Sequence, residues 1–224
     1  MNEVYLIDCM KFMASKSDKY YELAICDIPY GLNIDGQKKC ICNNPKHNRK
    51  KHEFKKWDNV IPDETYFIEL KRISINQIIF GANYCCKYLD HHKGWIVWDK
   101  GQKGLTMSDC ELIYSSFDYP TRIYIENRNF LNIEHSIHPT QKSKGLYRFL
   151  LQNYAKKGDK IFDSHVGSGS SRIACYELGF DFEGCELDAD YWEAQEKRFK
   201  LEKAKIDNKF YLPEDERSLF NEIL

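Results

Sequence analysis

The sequence lacks any run approaching the roughly 18 consecutive apolar residues of a membrane span, so no transmembrane helix is expected. An excess of one charge is missing too. Lys+Arg number 33 and Asp+Glu 34, for a formal net charge of −1, so only a local patch could draw a polyanion. The opening MNEVYLIDCMKFMASKSDKYYE carries Glu3, Asp8 and Lys11, without the basic stretch and apolar run of a secretory signal. No Pro/Gly/Ser linker and no internal repeat divides the chain, which predicts one domain over 1–224. Cysteine is not scarce, but the nine are odd in number and scattered, several of them inside apolar runs. That pattern argues against a secreted disulfide scaffold and for a reducing cytoplasm.

What is present is alternation. Strand-like runs at Val4–Ile7, Leu23–Cys26, Gln77–Phe80, Trp95–Trp98, Leu112–Tyr114, Arg122–Ile125, Lys160–Phe162 and Phe182–Leu187 are interleaved with helical spacing. The helical stretches lie near Met10–Met13, around Tyr66–Ile73, Leu146–Tyr154 and Ile173–Leu178, and from Trp192 onward. This order predicts βαβ units and a mostly parallel α/β sheet with helices on both faces. Leu112–Tyr114 and Arg122–Ile125 are expected to be antiparallel neighbours.

The run KIFDSHVGSGSSRIACYELGFDFEGCELD carries the first chemical signal. A strand ends at Asp163, a turn contains Gly167, Ser168 and Gly169, a helix follows, and the next strand ends in Glu186. Such glycines let a ligand approach the backbone, and an acid about 20 residues on can accept from a ribose diol. Dinucleotides and S-adenosylmethionine both use this arrangement. Arg172 stands where the dinucleotide fingerprint needs a small residue, which disfavours a nucleotide-dependent oxidoreductase.

Asp27-Ile28-Pro29-Tyr30-Gly31 follows directly on a buried strand, at the rim where open α/β sheets place ligands. Asp27 and the Ile28 carbonyl could accept both protons of an exocyclic amine, and Tyr30 could stack on a planar base. DIPYG resembles the D-P-P-Y catalytic motif of DNA amino-methyltransferases, and DSHVGSGSS resembles their cofactor loop. His138-Pro139-Thr140-Gln141-Lys142 is similar to the H-P-T-Q-K segment that precedes that loop in the β-class. The order matches as well, with a layout similar to phage or prophage members, and WDNVIP, QIIFGANY and WIVWDKG extend the likeness over about residues 1–200. Ile28 replaces the first proline of the catalytic motif, and Ser164-His165 replaces the Pro-Phe of the cofactor loop.

The resemblance implies a Rossmann-like S-adenosylmethionine-dependent methyltransferase fold. It would have a mixed seven-stranded sheet with one antiparallel strand, in circularly permuted motif order. It implies cofactor contacts from Asp8, Asp163, Gly167, Ser168, Gly169 and Glu186, with Pro139 and Lys142 helping to hold the methionine end. Catalysis would rest on Asp27, Ile28, Pro29 and Tyr30. The implied reaction is methyl transfer to N6 of an adenine flipped out of double-stranded DNA. The alternatives are N4 of cytosine, an RNA amine, or a non-catalytic nucleic-acid-binding relative.

Residues 32–58 read as a basic insertion. There Lys38, Lys39, Lys46, Arg49, Lys50 and Lys51 could meet DNA phosphates. Residues 100–137 are a candidate target-recognition region, a homodimer is left open, and 207–224 is a tail without an assigned role. Cys40-x-Cys42 with His47 and His52 has zinc-ligand residue types, but the spacing is tighter than usual and no metal is expected.

Overall fold

The computed structural model describes residues 1–36, 53–102, 108–127 and 136–211. Lys38, Lys39, Lys46, Arg49, Lys50 and Lys51 lie outside them, as do Cys40, Cys42, His47, His52 and the last thirteen residues of the proposed tail. In chain order the elements are β1 (Asn2–Leu6), α1 (Cys9–Ala14), β2 (Tyr21–Cys26), α2 (Glu64–Ile73) and β3 (Ser74–Phe80). There follow α3 (Ala82–Cys85), β4 (Trp95–Asp99), β5 (Cys110–Ser115), β6 (Arg122–Ile125) and α4 (Lys144–Tyr154). The chain continues through β7 (Lys160–Asp163), α5 (Ser170–Leu178), β8 (Asp181–Glu186) and α6 (Ala189–Tyr211).

All eight strand segments join one sheet in the order β1-β8-β7-β2-β3-β5-β4-β6. The expectation of seven strands is therefore one short, while that of one antiparallel strand holds. β5 runs against both of its neighbours, β3 and β4, and every other pairing is parallel. The predicted pairing of β5 with β6 is overturned. Both edges of β5 are taken, by Ile79↔Tyr114 on one side and Val97↔Leu112 on the other. The later strand instead adds to the free edge of β4, with Ile96 opposite Arg122.

Side chains alternate across β2 as the period of two requires. Leu23 and Ile25 pack with Leu146, Leu150, Ala174 and Cys175 on one face, which α4 and α5 cover. Ala24 and Cys26 pack with Phe12, Phe67, Leu70 and Ile73 on the other, under α1 and α2. Leu23 and Leu150 have no exposed surface, so truncating either to alanine should cost about 2–5 kcal/mol.

The helix starts follow capping chemistry. The side chains of Asp8, Asp63 and Ser143 each accept from a backbone N–H in the first turn of α1, α2 and α4. α5 opens on Gly169, whose φ of 77° suits glycine. Gly158 lies past the end of α4, but Ala155 makes the cap itself. Parallel pairing places the C-terminal ends of β1, β8, β7, β2 and β3 on one rim. No described helix is long and apolar enough to cross a membrane.

Candidate active site

A cavity of about 480 Å³ opens on that rim, within the range of small-molecule sites. Asp27, Ile28, Pro29 and Tyr30 line it together with Gly167, Ser168, Glu186 and Asp8. The two motifs, some 140 positions apart in sequence, thus share one wall-to-wall space. His138, Thr140, Gln141 and Lys142 line it as well, and Pro139 does not.

The Asp27–Gly31 turn is held by a residue that the sequence motifs do not single out. Asp58 is buried, and its carboxylate accepts from the backbone N–H groups of Tyr30 (2.6 Å), Gly31 (2.9 Å), Leu32 (3.2 Å) and Ile34 (3.0 Å). One side chain therefore sets the path of the chain just after Pro29. The only sequence signal was WDN, an acid standing directly behind a basic stretch.

Asp27 sits in a dense polar cluster. Lys142 Nζ lies 2.9 Å from its Oδ1 and 2.8 Å from its Oδ2, and the Tyr30 hydroxyl donates to Oδ1 at 2.6 Å. The same hydroxyl lies 2.7 Å from Glu111 Oε1. Glu111 in turn pairs with Lys142 and Lys100, each at 3.2 Å. Burial raises the Asp27 carboxyl above its ordinary range, with Lys142 opposing and Glu111 adding to the rise. Burial also works against ionisation of Glu111, but Lys142 and Lys100 outweigh it and hold that carboxyl below its usual range. The sequence reading put Lys142 at the methionine end of a cofactor, whereas the structure puts its ammonium on Asp27. Glu111 was missed, although an acid entering the strand CELIYS was a usable signal.

The Tyr30 ring stacks on Tyr84 at 5.2 Å between centroids. It also lies against Gly81, where an added Cβ would come within 2.2 Å of it.

On the glycine-loop side, Gly167 has φ 51°, and its N–H donates to Glu186 Oε2 at 2.8 Å. Glu186 Oε1 accepts from Asp188 N at 2.9 Å, which leaves each oxygen a further lone pair beside the cavity. Asp163 was expected to face a ligand, but it does not line the cavity. Its oxygens accept from His165 N at 3.0 Å and Ser171 Oγ at 2.7 Å, so it ties the loop to α5. Burial pushes it up to about 7. Gly169 also lies off the cavity, where an added Cβ would meet Gln195 at 3.2 Å. Arg172 is buried by bonds to Asn2 and Glu196 and by stacking on Phe199, so it packs α5 against β1 and α6.

The far wall is aromatic. Trp57, His138 and Tyr191 form a chain with centroids 5.0 Å and 4.4 Å apart. Lys55 closes that side by pairing with Asp188 and Asp190, each at 2.6 Å. Gln141 Nε2 is buried without a hydrogen-bond partner among the described residues. No cluster of metal-ligating side chains occurs among the described residues.

The fold and the residues of the site resemble those of DNA amino-methyltransferases, and comparison with known proteins supports the likeness. The family model for a DNA methylase, N6_N4_Mtase, matches residues 116–197. The chain is 35% identical over 65 residues to the Type II methyltransferase M2.DpnII of Streptococcus pneumoniae, a stretch covering 29% of this chain and 24% of that protein. It is 22% identical over 138 residues to M2.MboI of Moraxella bovis, spanning 57% of this chain and 48% of the relative. The chain thus spans less than half of each of these two curated relatives. Among solved structures, the M1.HpyAVI–SAM complex superposes with a TM-score of 0.61 at 18% identity, covering 88% of this chain and all of that one. The cytosine-N4-specific PvuII DNA methyltransferase superposes at 0.60 with 13% identity, covering 93% and 92%. The fold is that of S-adenosylmethionine-dependent DNA methyltransferases.

Proposed function

We propose that the chain binds S-adenosyl-L-methionine and transfers its methyl group to the exocyclic N6 of an adenine flipped out of double-stranded DNA. The observation that carries this reading is the single cavity shared by the Asp27–Tyr30 turn and the Gly167–Glu186 side.

The donor set fits that cofactor. Glu186 has spare acceptor capacity for ribose hydroxyls, the orphaned Nε2 of buried Gln141 can donate to a carboxylate, and Gly167 keeps the wall free of a side chain. When bound, the cofactor would supply an electrophilic methyl on a sulfonium.

The exocyclic nitrogen is a poor nucleophile because its lone pair is delocalised into the ring. Two acceptors drawing on its hydrogens would favour a pyramidal nitrogen with the lone pair free. Asp27 Oδ1 already takes Tyr30 and Lys142, while Oδ2 takes only Lys142. Oδ2 is therefore the oxygen with room for the amine, and the Ile28 carbonyl is the second acceptor. The part of the Tyr30 ring facing the cavity would support the extruded base. Lys38, Lys39, Lys46, Arg49, Lys50 and Lys51 would supply phosphate contacts, and 100–137 would read the target.

Transfer from labelled cofactor to unmethylated genomic DNA, followed by nucleoside analysis, tests the reading. N6-methyladenine is the expected product. N4-methylcytosine would move the chain to the second reading, which the likeness to the cytosine-N4-specific PvuII enzyme keeps in view. No transfer would reject both.

A further inference from the structure

Glu111 does not border the cavity, yet it is wired to the group that does. The register Trp98↔Glu111 brings it in on the antiparallel strand β5. Tyr30 has one hydroxyl hydrogen and two carboxylate acceptors, 2.6 Å away on Asp27 and 2.7 Å away on Glu111. Lys142 likewise divides its charge, at 2.8 Å from Asp27 and 3.2 Å from Glu111. The side chains of Lys142, Glu111, Lys100 and Asp27 are only 5%, 10%, 14% and 16% exposed, so water does little to screen them.

We infer that Glu111 is a positioning residue that keeps Asp27 a competent proton acceptor, by competing with it for the Tyr30 hydroxyl and the Lys142 ammonium. This rests on the reading of the site given above. In the proton step, an N–H bond of the methylated amine breaks, its electron pair stays on nitrogen, and the proton passes to Asp27 Oδ2. With Glu111 ionised, Asp27 meets only part of the Lys142 charge and a contested Tyr30 hydrogen. Its remaining lone pair is then more basic. With a neutral amide at 111, Lys142 and Tyr30 both settle on Asp27 and weaken it as an acceptor. The ionisable groups around Asp27 are Tyr30, Lys142, Glu111, Asp163 on β7 and Tyr147 on α4, with Lys100 behind Glu111.

The test is single-turnover methyl transfer to unmethylated DNA by the full chain and its Glu111→Gln and Glu111→Asp variants, from about pH 5 to about pH 9. Cofactor affinity and circular dichroism serve as folding controls. Glu111→Gln is expected to transfer about 10-fold more slowly near neutral pH, with KM and cofactor affinity held within about twofold. Its acid limb should move to lower pH, because the negative charge that raised Asp27 is gone. Glu111→Asp should recover part of the rate. An unchanged rate, or a slower rate with an unmoved acid limb, would overturn the inference while leaving the enzymatic reading intact. Absence of transfer by the unaltered chain would reject that reading and the inference with it.

Discussion

Lys142 Nζ lies 2.8 Å from Asp27 Oδ2 and 2.9 Å from Asp27 Oδ1, an ion pair between residues 115 positions apart, 5% and 16% exposed. It ties the segment before α4 to the turn after β2. Removing one partner of such a pair strands the other charge. Lys142→Met should therefore destabilise the chain by about 3 kcal/mol in denaturant titration and abolish methyl transfer. A loss within about 0.5 kcal/mol would mean the pair is not a structural tie.

Asp58 makes an equally specific claim. Asp58→Ala leaves the amides of Tyr30, Gly31, Leu32 and Ile34 without the carboxylate that accepts from them. The expected cost is about 2–4 kcal/mol, reduced to the extent that water reaches the vacated site. The transfer rate should fall much more than cofactor affinity, because the turn and not the glycine loop has lost its support. Rate measurements beside a cofactor titration check this split.

At Gly81 the backbone and the aromatic ring leave no room for a methyl. φ is 62°, and an added Cβ would sit 2.2 Å from the Tyr30 ring. Gly81→Ala should force the ring to move, lowering stability by about 1–3 kcal/mol and slowing transfer by about 10-fold or more. Thermal unfolding and single-turnover rates would report the two effects separately.

Asp163, which is buried, and the half-buried His165, both beside the glycine loop, should respond to pH with opposite signs. Burial raises Asp163 to about 7, against about 3.9 in the unfolded chain. The native state keeps the proton longer, so this contribution to stability declines as pH rises from about 4 to about 7. Burial lowers His165 to about 4, against about 6.5 unfolded. Here the unfolded state binds the proton first, and the contribution is lost as pH falls from about 6.5 to about 4. Relative to the unaltered chain, Asp163→Asn should gain stability with rising pH across its window. His165→Gln should gain with falling pH. Denaturant titrations through these windows measure both slopes, and slopes of the same sign would contradict the assignment.

The strands were legible in sequence because each is short, apolar and bounded by turn residues, as at Leu23–Cys26 and Trp95–Trp98. The order of the last three strands was not. Which edge of β4 remains free for β6 depends on β5 already bridging Ile79 and Val97, a relation between distant segments. The same distinction holds within the site. Asp27, Tyr30, Gly167 and Glu186 are readable because their chemistry depends on neighbours in the chain, a strand end or a glycine turn. Asp58 and Glu111 matter through partners such as Tyr30, 28 and 81 positions away, which no local spacing reveals. Asp163 misled the reading because an acid at a strand end can serve the loop as readily as a ligand.

Methyl transfer by the Asp27→Ala variant tests the central claim most directly. The account predicts that labelled methyl is incorporated into unmethylated DNA by the unaltered chain and not by the variant, while both bind S-adenosyl-L-methionine with affinities within about threefold. Equal incorporation by the two proteins would contradict it, because the acceptor placed between Lys142 and Tyr30 would then have no part in the chemistry.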